Sequence, residues 1–185
     1  MLFVGDSITF CWRWEGQGKE PFEKHFPDLV KSTRFFGVPG DGVQHLQWRL
    51  QNGEFDGQHP KVVCLLIGTN NIGIDPALIV AGVKQNIMEI QKRSPNSKII
   101  LHGIFPRDEK PSPARDAITA INAEIAKFAD KDKVVYIDIG DKFLQPDGTI
   151  SKEVMEDFLH LTAKGFDIWA TELEKPLRAL LKDAK

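Results

Sequence analysis

The sequence predicts an α/β protein in which helices cover both faces of a parallel sheet, and three observations carry that prediction. Short apolar runs recur five times along the chain. They are continuous rather than alternating, as in strands buried on both faces. Segments of helical period separate them, and these connections are too long for hairpins, so the crossovers should be right-handed.

The expected strands are Leu2–Val4, Thr33–Phe36, Val62–Ile67, Ile99–Ile104 and Val134–Ile139. Between the second and third, Val43–Leu50 puts Val43, Leu46 and Leu50 on one side of a helix. Asp75-Pro76 is a helix start signal, and Pro76–Lys92 then carries Ile79, Val83, Ile87 and Ile90 at spacings of three and four. Ser112–Phe128 repeats the pattern with Ile118, Ile121, Ile125 and Phe128. A last helix, Ala163–Leu181, closes the chain, with Pro176 expected to kink or split it. With no repeat, low-complexity tract or linker, residues 1–185 read as one domain.

Composition narrows the function. The 24 basic residues stand against 26 acidic ones, which leaves no electrostatic footprint for nucleic acid or an anionic membrane. Signs alternate through Lys131-Asp132-Lys133 and Arg107–Lys110, as on solvated surfaces. Two cysteines make no disulfide framework, and Cys64, inside an apolar run, reads as a buried structural thiol. No stretch has the roughly 18 apolar residues of a membrane span. Met1 leads straight into Leu2-Phe3-Val4 without a signal-peptide pattern. As written the chain is expected in the cytoplasm; a leader removed or missed would make it secreted or periplasmic.

In open α/β sheets, sites form beyond the carboxyl ends of the strands. The loops there read Gly5-Asp6-Ser7-Ile8-Thr9, Gly37-Val38-Pro39-Gly40-Asp41-Gly42 and Gly68-Thr69-Asn70-Asn71, with Asp157-Phe158-Leu159-His160-Leu161 after the fifth strand. Each alone is ambiguous. Gly-Asp-Ser is common in turns, Asp157 suits a helix cap, and His160 a packed core. Their succession along one sheet edge is what points to a site.

The chemistry that fits is nucleophilic. A serine hydroxyl needs a base, and the base needs a third group to orient it. Ser7 sits at a strand-to-helix turn, His160 is the base, and Asp157 three residues earlier is the orienting carboxylate. The Ser7 N–H, the Gly40 N–H and the Asn70 amide are candidate donors to a tetrahedral oxyanion. None of the six serines lies in Gly-x-Ser-x-Gly, which argues against the ordinary α/β-hydrolase fold. The histidines are scattered, with no His-Glu-x-x-His or paired-Cys spacing, so neither metal nor cofactor is expected. His25 and His59 read as exposed, His45 as a surface or supporting residue, and His102 as structural.

These blocks resemble the SGNH (GDSL-type) hydrolases, whose defining Ser, Gly, Asn and His fall on Ser7, Gly40, Asn70 and His160, with Asp157 in the Asp-x-x-His position. The resemblance is strongest to the type I platelet-activating-factor acetylhydrolase catalytic subunits and their bacterial relatives. It runs through Gly40-Asp41-Gly42, Gln44-His45, Trp48-Arg49-Leu50, Asn52-Gly53-Glu54, Gly68–Asn71, Phe105-Pro106-Arg107, Asp147–Ser151 and Asp157–Leu161. It implies a flavodoxin-like, three-layer α/β/α fold with a five-stranded parallel sheet, a metal-free site, hydrolysis of short-chain esters, and a homodimer as one assembly. Phe35 departs from the usual Asn, Pro39 from a frequent Gly, and the segment that usually precedes the first strand is missing.

The leading expectation is therefore an acetyl-type esterase acting on an ester of a carbohydrate, lipid or small alcohol. Ile8, Thr69 and Leu159, neighbours of the catalytic groups, should wall its acyl pocket. Two alternatives stay open. One is a lysophospholipase or thioesterase with an apolar channel lined by Trp12, Trp14 and Phe36. The other is a non-catalytic binding or scaffold module on the same fold.

Overall fold

The computed structural model describes residues 1–130 and 132–183; Lys131, expected on a solvated surface, lies outside them. Five strands, β1 (Leu2–Gly5), β2 (Arg34–Gly37), β3 (Val62–Leu66), β4 (Lys98–His102) and β5 (Val134–Ile137), form one sheet. All four pairings are parallel and the order is β2-β1-β3-β4-β5. This is the flavodoxin-like order.

Side chains alternate along each strand and so feed two cores. Leu2, Val4, Val63, Leu65, Ile99 and Leu101 face one way. There they pack on α3 (Val43–Gln51), α4 (Pro76–Arg93) and α5 (Pro113–Ile125). Phe3, Val62, Cys64, Leu66 and Ile100 face the other way. Those meet the short α1 (Ser7–Phe10), α2 (Lys19–His25) and the long α6 (Ala163–Asp183). A strand that feeds both cores can be apolar at every position, which explains the continuous runs at β1, β3 and β4. The edge strands are different: Arg34 is exposed, and Phe35, Phe36, Val135, Tyr136 and Ile137 are only partly buried.

The helix starts follow from local chemistry. Asp75 Oδ1 accepts the Ala77 N–H at 2.9 Å, and Pro76 occupies the first helical position, where its missing N–H costs nothing. Ser112 and Pro113 repeat this arrangement at α5.

Three expectations need correction. Pro176 does not split α6, which runs on through it. Leu173 and Leu177, both fully buried, hold the helix on the sheet across the lost hydrogen bond. The segment α2 was not anticipated. Pro21 lies in its first turn, where backbone N–H groups have no intrahelical partner, so it breaks nothing. Finally, His25 is not exposed. Its Nε2 lies 2.9 Å from Asp167 Oδ1, tying α2 to α6, while His59 is exposed as expected.

Candidate active site

The first loop presents Ser7 through two close approaches. A Cβ on Gly5 would lie 2.1 Å from the Leu66 carbonyl oxygen, and one on Gly37 would lie 2.2 Å from the Phe10 nitrogen. Only glycine lets the ends of β1, β2 and β3 and the turn of α1 come this near. Asp6 caps that turn, its Oδ1 accepting the Ile8 N–H at 3.0 Å. Burial pushes the Asp6 carboxyl up to about 7, against the lowering pull of that N–H and of His160.

Ser7 Oγ lies 2.9 Å from His160 Nε2, and His160 Nδ1 lies 2.7 Å from Asp157 Oδ2. The loop that joins them is tight. Asp157 Oδ1 accepts the backbone N–H of Leu159 (3.1 Å) and of His160 (2.7 Å), and Phe158 turns the chain at φ 59°. One carboxylate thus shapes the turn and orients the ring. Partial burial raises the Asp157 pKa, but the His160 ring and backbone, the imidazole charge and the Leu159 N–H outweigh it. The carboxyl is left below its ordinary range. An ionised carboxylate only accepts, so the Nδ1 beside it carries the proton. The neutral ring then turns a bare Nε2 to the Ser7 hydroxyl.

The loops after β2 and β3 flank that of Ser7, because β1 lies between those strands. Gly40 takes φ 83° with open space at its Cα, so its N–H belongs to an exposed, left-handed turn. Asn70 Nδ2 donates to the Asp41 carbonyl at 2.9 Å, which ties the third loop to the second. An amide nitrogen carries two hydrogens, so one remains. Thus Ser7, His160 and Asp157 come together in one hydrogen-bonded chain, and Gly40 and Asn70 are linked through Asp41.

The expected acyl walls are not all accessible. Ile8 is 2% exposed and belongs to the core with Phe3 and Trp12. Thr69 is 3% exposed, and its carbonyl accepts Arg107 NH1 at 3.1 Å. Leu159 alone is half-exposed. The physical reason is helical geometry: successive residues of a turn point about 100° apart, so when Ser7 faces the site Ile8 faces the core. The apolar channel also fails. Trp12 is fully buried against Phe166 and Trp169, whereas Phe36 packs with the core on the opposite face of the sheet.

Sequence reasoning gave no role to Arg49, which clamps the first two loops. Its guanidinium donates to the Gly5 and Phe36 carbonyls at 3.0 and 3.3 Å, and pairs with Asp41 at 2.7 Å and Glu54 at 2.5 Å. Asn71 likewise accepts the Val43 N–H at 2.8 Å and donates to Gln44. Their only signal in the sequence was membership of the Trp48-Arg49-Leu50 and Gly68–Asn71 blocks. His45 Nδ1 accepts the Gly42 N–H at 3.0 Å, a supporting role. His102 is buried and held neutral, its pKa lowered by burial to about 3.

Two grooves border the site. One of about 560 Å³ runs between Trp14, Gln17, Asp157 and His160. A smaller one of about 390 Å³ lies between Pro39, Gly40, His45 and Trp48. A third concavity, of about 600 Å³ between α5 and β5, shares no lining residue with the Ser7–His160–Asp157 chain.

A family model described as GDSL-like lipase/acylhydrolase matches residues 3–168. The chain belongs to that family. This GDSL-like hydrolase is 35% identical over 182 residues to human platelet-activating factor acetylhydrolase IB subunit alpha1, with 98% of the chain and 76% of that protein aligned. It is 36% identical over 185 residues to the rat alpha2 subunit, with 98% and 75% aligned. Its fold matches a GDSL-like lipase from Bacteroides thetaiotaomicron at TM-score 0.74 and 19% identity, covering 98% of this chain and 87% of that one. It also matches an acetylxylan esterase from Geobacillus stearothermophilus at TM-score 0.70 and 21% identity, covering 97% and 92%. The GDSL-like hydrolase is therefore a carboxylic ester hydrolase with the three-layer α/β/α fold. Among its described residues, no helix is long and apolar enough to cross a membrane.

Proposed function

We propose that this hydrolase cleaves short-chain, acetyl-type esters of a carbohydrate, lipid or small alcohol through an acyl-enzyme on Ser7. The observation that carries the reading is the unbroken hydrogen-bonded chain from Ser7 Oγ through His160 to Asp157. Ser7 Oγ attacks the ester carbonyl carbon while His160 Nε2 takes the hydroxyl proton, and the Asp157 carboxylate stabilises the imidazolium. The oxyanion receives the Ser7 N–H, the Gly40 N–H and the free hydrogen of Asn70 Nδ2. Collapse breaks the bond to the alcohol oxygen, which takes the proton from His160. Water then attacks the acyl-enzyme with His160 as base, releasing the carboxylic acid and restoring Ser7.

The printed names of the relatives, two of which are acetylhydrolase subunits, support a small acyl group. The longer-chain reading loses its channel with Trp12 in the core. A series of 4-nitrophenyl esters tests the choice. Each misfitting methylene in a packed pocket costs on the order of 1–3 kcal/mol. kcat/KM should therefore peak at acetyl or propionyl and fall at least about tenfold by hexanoyl. A preference for octanoyl would overturn the acetyl reading in favour of a lysophospholipase or thioesterase.

Asn70→Ala should lower kcat by about 10²- to 10³-fold with little change in KM, because its amide meets a charge that exists only around the transition state. An effect confined to KM would make Asn70 a ground-state contact instead. Steady-state kinetics on 4-nitrophenyl acetate separate the two.

A further inference from the structure

We infer that the groove between Trp14 and Asp157 is the alcohol subsite, built for a neutral, hydroxyl-rich alcohol such as a sugar. The inference rests on the Ser7 acyl-transfer reading and adds the chemistry of the leaving group to it.

Position comes first. In that mechanism the alcohol oxygen takes its proton from His160 Nε2, so the alcohol must lie within reach of the imidazole. The groove of about 560 Å³ has His160 and Asp157 in its wall, together with Cys11, Trp14, Gln17 and Thr162. Its volume suits a small organic ligand. The smaller groove borders Gly40 rather than His160, and so faces the oxyanion instead of the leaving group.

The lining then selects the ligand. Trp14 is 53% exposed, a large apolar plane left in water. It is nevertheless fixed in place. The Phe10 ring meets it at 5.5 Å and 62°, its N–H donates to Cys11 O at 3.1 Å, and its carbonyl accepts from Gln17 and Lys19. A flat indole face of this kind matches the C–H face of a pyranose ring. Beside it, Gln17 Oε1 is buried and accepts no hydrogen bond from any described residue. A buried acceptor without a donor is costly, so this oxygen calls for an O–H or N–H from a ligand. Glu156, also in the wall, adds a further acceptor, and with Asp157 it makes the rim acidic.

Other alcohols fit less well. A phosphorylated alcohol would bring its negative charge against Glu156 and Asp157. A quaternary ammonium would suit the indole and the carboxylates. It has no hydrogen to donate, however, and Gln17 Oε1 would stay unpaired. A polyol satisfies all three features together.

The test compares kcat/KM for mono-acetylated xylobiose, acetylcholine and ethyl acetate. The wild type should favour the sugar ester over both others. Trp14→Ala should cut the ratio of sugar to ethyl acetate activity by about tenfold, mainly through KM, and Trp14→Phe should restore most of it. Gln17→Met, which keeps the shape and removes the acceptor, should lower the same ratio. An unchanged ratio in Trp14→Ala and Gln17→Met, or a preference for acetylcholine, overturns the sugar subsite while leaving the esterase reading intact. Should no ester be cleaved, the Ser7 reading fails, and the groove is judged by binding alone. Added xylobiose should then quench the tryptophan fluorescence of the intact protein, and an unaltered spectrum at millimolar sugar refutes the subsite.

Discussion

Ser7→Ala should abolish ester hydrolysis while leaving the fold intact. The expected loss in kcat is at least about 10⁴-fold, because the variant keeps the oxyanion donors and the base but has no oxygen to form the acyl-enzyme. The Ser7 side chain is only partly buried, and its side-chain hydrogen bond runs to His160, so an alanine leaves no cavity in either core. Circular dichroism and thermal melting should match the parent protein. A serine-directed organophosphonate should label the parent once, at Ser7, and leave the variant unlabelled. Turnover that survives the substitution, or a label at another serine, would remove Ser7 from the mechanism.

Asp157→Asn should have the next largest effect, a fall in kcat of about 10⁴-fold. The substitution keeps a carbonyl oxygen for the Leu159 and His160 backbone N–H groups, so the turn at Phe158 survives. Facing Nδ1, however, an amide NH₂ can only donate. The ring then holds its proton on Nε2 and can no longer accept from Ser7. In the parent protein, activity should fall as the pH drops, because the proposed mechanism needs a neutral His160 to take the Ser7 proton. Asp157, despite partial burial held below the ordinary carboxylate range by His160 and the turn N–H groups, keeps its charge further into acid than a free carboxyl would. A pH–rate profile on 4-nitrophenyl acetate shows the limb, and normal activity in Asp157→Asn would assign the orienting role elsewhere.

What the sequence displayed and what it hid follow from where each side chain points. The inner strands could be read because they feed two cores and are apolar at every position. The edge strands β2 and β5 blur at their half-exposed positions. The turn α2 was hidden by Pro21, a helix breaker in most places and harmless in a first turn. The residues of the Ser7 chain stood out because a Ser, an Asp and a His have little reason to crowd one sheet edge. The pocket walls did not, because adjacency in sequence says nothing of direction. Ile8 follows Ser7 and turns into the core, while Trp12 and Trp14, two apart, are respectively buried and exposed. Phe35 shows the same effect. It replaces the family's usual polar residue by joining Phe3, Trp12 and Phe22 in one aromatic cluster.

The clamp at Arg49 bears on how the proposed acyl transfer meets its entropy. The guanidinium spans carbonyls at the ends of β1 and β2 and two carboxylates, so ordering it fixes the strand ends that lead into the Ser7 loop and its neighbour. That loss of freedom occurs once, when the protein folds, and is not repeated at each turnover. Dipoles already aligned need no reorientation as negative charge builds on the substrate oxygen, which is where fixed donors surpass water. The speed of such an enzyme would then depend on the stiffness of its resting loops, with no closing motion needed to assemble the site.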